Sequence, residues 1–198
     1  MDLDQVRTEW DAAAGTFDLE AEHGLLDPGT REAWRQVLGP LLPSTPARVA
    51  DLGCGTGTLA VLLAEDGHDV TGLDLSPRMI DRARAKATAA KVPARFAIGD
   101  ASRPSLARRT FDVVLARHVV WALPDAATSL HTWVDLLTTG RRLVLVEGRW
   151  GAGSGLSADE LRALVAPLVR TVDVVPLTDS ALWGREIDDE RYALVAMT

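Results

Sequence analysis

From Arg48 to Leu168, short apolar runs alternate with amphipathic stretches. That alternation restricts the chain to an α/β architecture, a doubly wound, mostly parallel sheet with helices on both faces. Strands are expected over Arg48–Leu52, Asp69–Leu75, Arg95–Ile98, Phe111–Ala116 and Arg142–Glu147. Helices are expected over Thr58–Asp66, Pro77–Ala90, Asp125–Leu137 and Ala158–Leu168. Ser76 stands as N-cap of the second, with Pro77 at its first position. Two more strands, Val172–Pro176 and Tyr192–Ala196, have no helix between them. The last strand should therefore run antiparallel to its neighbour, giving seven strands in all. Residues 2–40 read as helical, broken by Gly24 and by Asp27-Pro28-Gly29, and Pro43-Ser44-Thr45-Pro46 reads as a linker.

At 198 residues the chain suits a single domain over 1–198. Its 21 Lys+Arg against 28 Asp+Glu leave a net charge of −7. A nucleic-acid partner, bound by neutralising phosphates, is not expected. The single cysteine, Cys54, excludes an internal disulfide and a Cys-based zinc site, and no metal is expected. The acidic start, Met1-Asp2-Leu3-Asp4, is not followed by an apolar stretch, so no signal peptide is expected. No window approaches the ~18 apolar residues of a membrane span. A cytoplasmic protein, a monomer or a homodimer, is the simplest expectation.

The sharpest local signal is Val49-Ala50-Asp51-Leu52-Gly53-Cys54-Gly55-Thr56-Gly57, where a strand ends and a helix begins. Glycines allow a tight turn and close approach of a ligand. The helix start offers free N–H groups suited to a carboxylate or a phosphate. A plain tight turn would use the same residues. The spacing is Gly-x-Gly-x-Gly, unlike the Gly-x-Gly-x-x-Gly of dinucleotide folds. Asp51, two residues ahead of the first glycine, would repel a pyrophosphate and welcome an ammonium group.

At these residues the chain resembles the class I S-adenosylmethionine (SAM)-dependent methyltransferases, over roughly Arg48 to Glu147. The resemblance implies a Rossmann-like seven-stranded sheet with its last strand antiparallel. It implies that Asp51 and the backbone from Gly53 through Cys54 and Gly55 to Gly57 hold the amino-acid end of SAM. It also implies S-adenosylhomocysteine as product. Asp74, at the end of the second strand, would take the ribose hydroxyls; the plainer reading is a helix-capping acid. Asp100, with Ala101, would meet the adenine amino group; the plainer reading is a loop Asp bonded to its own backbone. Leu75 and Met79 would sandwich the adenine, and Arg117 would join the cofactor site.

The fourth strand exits into Ala116-Arg117-His118-Val119-Val120-Trp121-Ala122-Leu123-Pro124, where an acceptor would sit. The Asn/Asp-Pro-Pro-aromatic tetrapeptide of DNA-amino methyltransferases is absent there. His118 is the candidate general base, against a packing role on Trp121. Trp10 and Phe17, seven residues apart, are expected on one helical face of a lid formed by residues 1–40, over a SAM-binding core at 47–198. His23, Trp121 and Trp150 are the candidate acceptor contacts. Trp150 lies in Glu147-Gly148-Arg149-Trp150-Gly151-Ala152-Gly153-Ser154-Gly155, read as a mobile glycine-rich loop. Trp183 is placed to approach the pocket, Trp34 and Trp133 to fill the core, His131 to be structural and His68 to sit in a surface turn. Thr138-Thr139-Gly140-Arg141 replaces the Pro-Gly-Gly turn common in the family.

The function expected is methyl transfer from SAM to an O or N nucleophile of a small molecule. Two alternatives stand beside it. One is a SAM-binding protein without methyl transfer, sensor or cyclase-like. The other is methylation of a peptide or protein side chain.

Overall fold

The computed structural model describes residues 2–44, 46–151 and 153–198. Met1, Thr45 of the expected linker and Ala152 of the glycine-rich loop lie outside them. The strands are β1 (Arg48–Leu52), β2 (Asp69–Asp74), β3 (Arg95–Ile98), β4 (Phe111–Arg117), β5 (Leu137–Trp150), β6 (Ser154–Gly155), β7 (Thr171–Pro176) and β8 (Glu190–Met197). The helices are α1 (Leu3–Ala13), α2 (Ala21–Gly24), α3 (Pro28–Leu41), α4 (Thr58–Glu65), α5 (Pro77–Ala90), α6 (Ala126–Leu136) and α7 (Ala158–Val165). The sheet order is β3-β2-β1-β4-β5-β8-β7, with two-residue β6 folded back on β5. β1 to β5 pair in parallel, and β8 is antiparallel to both β5 and β7. The antiparallel last strand thus follows from the missing helix before it.

Strand residues divide strictly by parity. Val113, Leu115, Val144 and Val146 enter one core with Trp34 and Leu38 of α3 and Leu59 and Leu62 of α4. Val114, Ala116, Leu143 and Leu145 enter the other, with Leu130 and Trp133 of α6 and Leu161 of α7. A sheet buried on both faces needs continuous apolar strands, which is why Val113–Ala116 of β4 and Leu143–Val146 of β5 show no polar alternation. Each fully buried Leu or Val contributes about 1.5–3 kcal/mol. The expected helix starts hold: Ser76 Oγ accepts from Met79 N at 3.1 Å, and the Asp125 side chain caps α6.

Several local expectations change. α1 ends at Ala13, and Phe17 lies in a separate short 3₁₀ turn, Phe17–Leu19, so Trp10 and Phe17 do not share a helix face. Their rings still meet edge to face at 6.2 Å. α3 is a core helix and no part of a lid, since Trp34 and Leu38 are wholly buried. Thr138–Arg141 does not form a turn but the first part of β5, with a register shift opposite Phe111–Val113. The expected loop after Glu147 is a hairpin: Arg149 pairs with Gly155 and Trp150 with Ser154. His68 is buried where α4 hands over to β2, and not on the surface, while His131 lies on the exposed face of α6.

Candidate functional site

The cavity of interest, about 410 Å³, opens at the carboxyl ends of β1, β2 and β4, under α1 and α2. This is where the strand order reverses around β1, the usual ligand crevice of such sheets. The glycine loop forms its floor. Gly53, Gly55 and Gly57 all have left-handed backbones, φ +69°, +53° and +75°. A Cβ at Gly53 would come within 2.5 Å of the Val119 side chain, so glycine is required there on two counts. Gly57 does not line the cavity; it packs on Ala83 and Phe96. Four of the loop amides are already taken. Gly53 N and Cys54 N donate to Leu73 O, Gly57 N to Cys54 O, and Gly55 N to Asp74 Oδ2 at 2.8 Å.

Asp51, 2% exposed, is the penultimate residue of β1, its Oδ2 lacking any hydrogen-bond partner among the described residues. Burial pushes its carboxyl up to about 7, against the pull of the Arg117 guanidinium, with Asp74 adding to the rise. Asp74 accepts from Gly55 N and from Ser76 N, and burial raises its carboxyl too. Asp100 takes the plainer of its two expected arrangements, accepting from Ser102 N and Ser102 Oγ at 2.7 Å each, while still lining the cavity with Ala101, Leu75 and Met79.

At the other end stand His118, His23, Trp121, Trp150 and two cations the sequence reading weighed less or missed. His118 has a left-handed backbone, φ +58°, which is uncommon for a side-chain-bearing residue. Its ring meets Trp150 edge-on at 5.1 Å and stacks on buried Trp183 at 6.1 Å. Its Nε2 is buried and unpartnered among the described residues, as is His23 Nδ1. Burial holds His118 well below the usual imidazole range, helped by Arg117, Arg191 and His23. Burial and Arg117 lower His23 as well. Trp121, 42% exposed, donates its Nε1 to His118 O and meets Trp150 edge to face. Arg191, 5% exposed, pairs with both oxygens of Asp189 and with Glu22, and lies 4.7 Å from the centre of a Trp183 ring. Arg117 donates to Glu22 O and is lowered to about 10 by burial, against Glu22 and Asp51.

The cover is tied down by carboxylates. Asp11 of α1 accepts from Ser76 Oγ and from Arg78 N at the start of α5. Asp18 accepts from Thr56 Oγ1 and from Lys86 Nζ at 3.1 Å. Phe17 then rests on Gly55 and stacks on His23, with centroids 4.2 Å apart.

Comparisons with known proteins converge on one family. The profile described as a methyltransferase domain matches residues 49–140. The chain is 30% identical over 154 residues to aklanonic acid methyltransferase DauC of Streptomyces sp. (strain C5), covering 76% of this chain and 68% of that protein. The chain belongs to the class I SAM-dependent methyltransferases. It is also 35% identical over 126 residues to the demethylmenaquinone methyltransferase of Deinococcus radiodurans, spanning 62% of this chain but only 52% of that one. Among solved structures the fold resembles the [4+2]-cyclase SpnF, with a TM-score of 0.73, 16% identity and coverage of 84% and 80% of the two chains.

The residues present fit the cofactor of this methyltransferase family. Asp51 is a buried carboxylate whose Oδ2 has no hydrogen-bond partner among the described residues, and it lines the cavity where an ammonium group would meet it. The residues expected at the site line one cavity except Gly57 and Trp183, the latter buried behind His118. The sequence reading missed Asp11, Asp18, Glu22 and Arg191. The first three lie in a segment without strand–helix punctuation, and Arg191 follows Glu190 at the start of an otherwise largely apolar strand.

Proposed function

We propose that this methyltransferase acts on a small, flat molecule, methylating an O or N nucleophile, of which an acidic O–H fits best. The observation that carries this reading is the presence, in one cavity, of Asp51 Oδ2 and His118 Nε2, both buried and without a partner among the described residues. Bound SAM supplies the electrophilic methyl group. Asp51 holds its ammonium, Arg117 faces its carboxylate, Asp74 takes ribose hydroxyls, and Leu75, Met79 and Ala101 enclose the adenine. Residues 3–24 act as the lid, latched by Asp11 and Asp18. Trp121 and Trp150 give the acceptor aromatic walls, and the lid excludes water so that alignment governs transfer. An O–H nucleophile leaves one proton, and His118 Nε2 takes it. The depressed basicity of that ring favours a phenol or enol over an alkyl alcohol.

The test has two steps. SAM and S-adenosylhomocysteine should raise the melting temperature by mass action, about 2.7 kcal/mol at 100 times Kd, and NAD should not. Stabilisation by NAD alone overturns the reading. Methyl-labelled SAM should then label an extractable metabolite. Tight binding with no labelled product from any extract points to a non-transferring SAM protein; label on polypeptide points to a protein methyltransferase.

Asp74 gives a separate expectation. Losing a charge-assisted hydrogen bond of ~1.5–3 kcal/mol should weaken SAM roughly 10- to 150-fold in Asp74→Ala. Asp74→Asn, which still accepts from Gly55 N, should lose less. Equal affinity in wild type and Asp74→Ala, read by calorimetry, would reject the ribose role.

A further inference from the structure

We infer that Glu147 is the positioning residue of the acceptor site, holding the turn that presents His118. This rests on the reading of His118 as the acceptor-facing imidazole. Glu147 lies in the carboxyl-terminal part of β5 and is 0% exposed, yet it does not line the cavity. Its Oε1 accepts from two successive amides of the turn after β4, Val119 N at 2.9 Å and Val120 N at 2.7 Å. Two adjacent N–H groups converge on one oxygen in the manner of a nest, and here the acceptor is a carboxyl group from the neighbouring strand, which burial pushes up to about 7. The same turn is fixed at a third point, where His118 N donates to Val146 O at 2.9 Å. His118 therefore keeps its left-handed backbone because both sides of it are bound to β5. Left-handed backbone at a histidine costs energy and persists only where its surroundings enforce it. Val119 in turn packs against the bare face of Gly53, so Glu147 also sets how the acceptor turn meets the cofactor loop.

The other carboxylate oxygen, Oε2, is buried without a partner among the described residues. A glutamate kept solely to fill space would be replaced by an apolar residue without loss. Here one oxygen carries two amide bonds and the other is left bare, which is tolerable only if the first contact is what matters.

The experiment compares Glu147→Ala, Glu147→Gln and the near-isosteric Glu147→Met in the full chain. Amide hydrogen exchange at Val119 and Val120, read by NMR without any acceptor, should speed up roughly 10- to 150-fold in the Ala and Met variants. Amides of β1 and β2 should not change. The His118 ring, followed by its own NMR titration, should move up toward the ordinary imidazole range as the turn loosens. Affinity for S-adenosylhomocysteine should stay within about threefold of wild type. Once an acceptor is in hand, kcat should fall about 10²-fold from misplacement of the imidazole, with little change in KM for SAM. Gln keeps an oxygen acceptor and should restore most of each. Unchanged exchange at Val119 and Val120 in the Met variant overturns the inference. So does faster exchange spread evenly over the whole sheet, which marks a general core role. Failure of wild type to bind S-adenosylhomocysteine would instead count against the cofactor reading and leave the exchange result to stand on its own.

Discussion

Asp51→Asn is expected to weaken SAM by roughly 30- to 4,000-fold, from the ~2–5 kcal/mol lost when one partner of a buried charge pair is removed. The apo fold should survive, because Asn is isosteric and spares the chain an unpaired buried carboxylate. The pH dependence carries a sharper signature. The folded-state pKa of Asp51 is raised from 3.8 to about 7, by burial first. A raised pKa means that the native protein holds more protons than the unfolded chain between those values. Its contribution to stability is therefore full below the unfolded value and is lost as pH rises through the folded one. SAM binding runs the other way, since only the ionised carboxylate pairs with an ammonium. Affinity should climb as pH rises toward about 7, up to tenfold per unit, then fall once the ligand's own amine loses its proton near ~7.7–8.0. Calorimetry in buffers of different ionisation enthalpy should show proton release at pH 6–7 in wild type and none in Asp51→Asn. A flat affinity profile in wild type would remove Asp51 from the ammonium site.

The route from sequence to site was shortest where one element's chemistry is local. An acid at the carboxyl end of an apolar strand marked Asp51 and Asp74, and both line the cavity. The same pattern stands at Glu147, after Leu143–Val146, yet reading it as the start of a loop hid its role. Strand limits were legible where Gly, Pro or Ser punctuates the chain. β1 and β3 and helix α5 run as expected from such signals. β5 runs from Leu137 to Trp150, well beyond the expected Arg142–Glu147. Its extra length comes at the start from Leu137 pairing with Phe111 of β4 and at the end from pairing with β8 and β6, which are tertiary effects without local sequence marks.

The cover over the cavity was legible only in outline. Trp10 and Phe17 at helical spacing suggested one continuous amphipathic helix. The chain turns after Ala13 instead, because Asp11 and Asp18 must each reach a different part of the core. Those two acids look like ordinary solvated charges in sequence, since their partners lie 38 to 68 residues away. Arg191 was hidden for the same reason. Its partner Glu22 is 169 residues away, and a single arginine beside Asp189 and Glu190 reads as surface.

His118→Ala is expected to lower turnover by ~10²–10⁴-fold while S-adenosylhomocysteine binds as before. From sequence alone the activity would fall as pH drops through an unperturbed imidazole value of ~6.5. The structure moves that expectation. Burial, then Arg117, Arg191 and His23, hold the ring well below its ordinary range. The imidazole therefore stays neutral, and able to accept a proton, to more acidic pH. The acid limb of the kcat profile should lie clearly below 6.5 in wild type and vanish in His118→Ala. A ring so reluctant to ionise is a weak base, so among acceptors of one shape the rate should favour the more acidic hydroxyl. His118→Gln separates the two roles. It keeps a hydrogen-bonding side chain of similar reach but takes up no proton at neutral pH. If Gln restores most of the rate, the imidazole only orients the acceptor and the proton leaves elsewhere, with His23 the nearest candidate in the same cavity. If Ala and Gln are equally impaired, proton removal by Nε2 is the step lost. Full activity in both variants would leave the ring a structural role between Trp150 and Trp183, and the site would have to work by alignment alone.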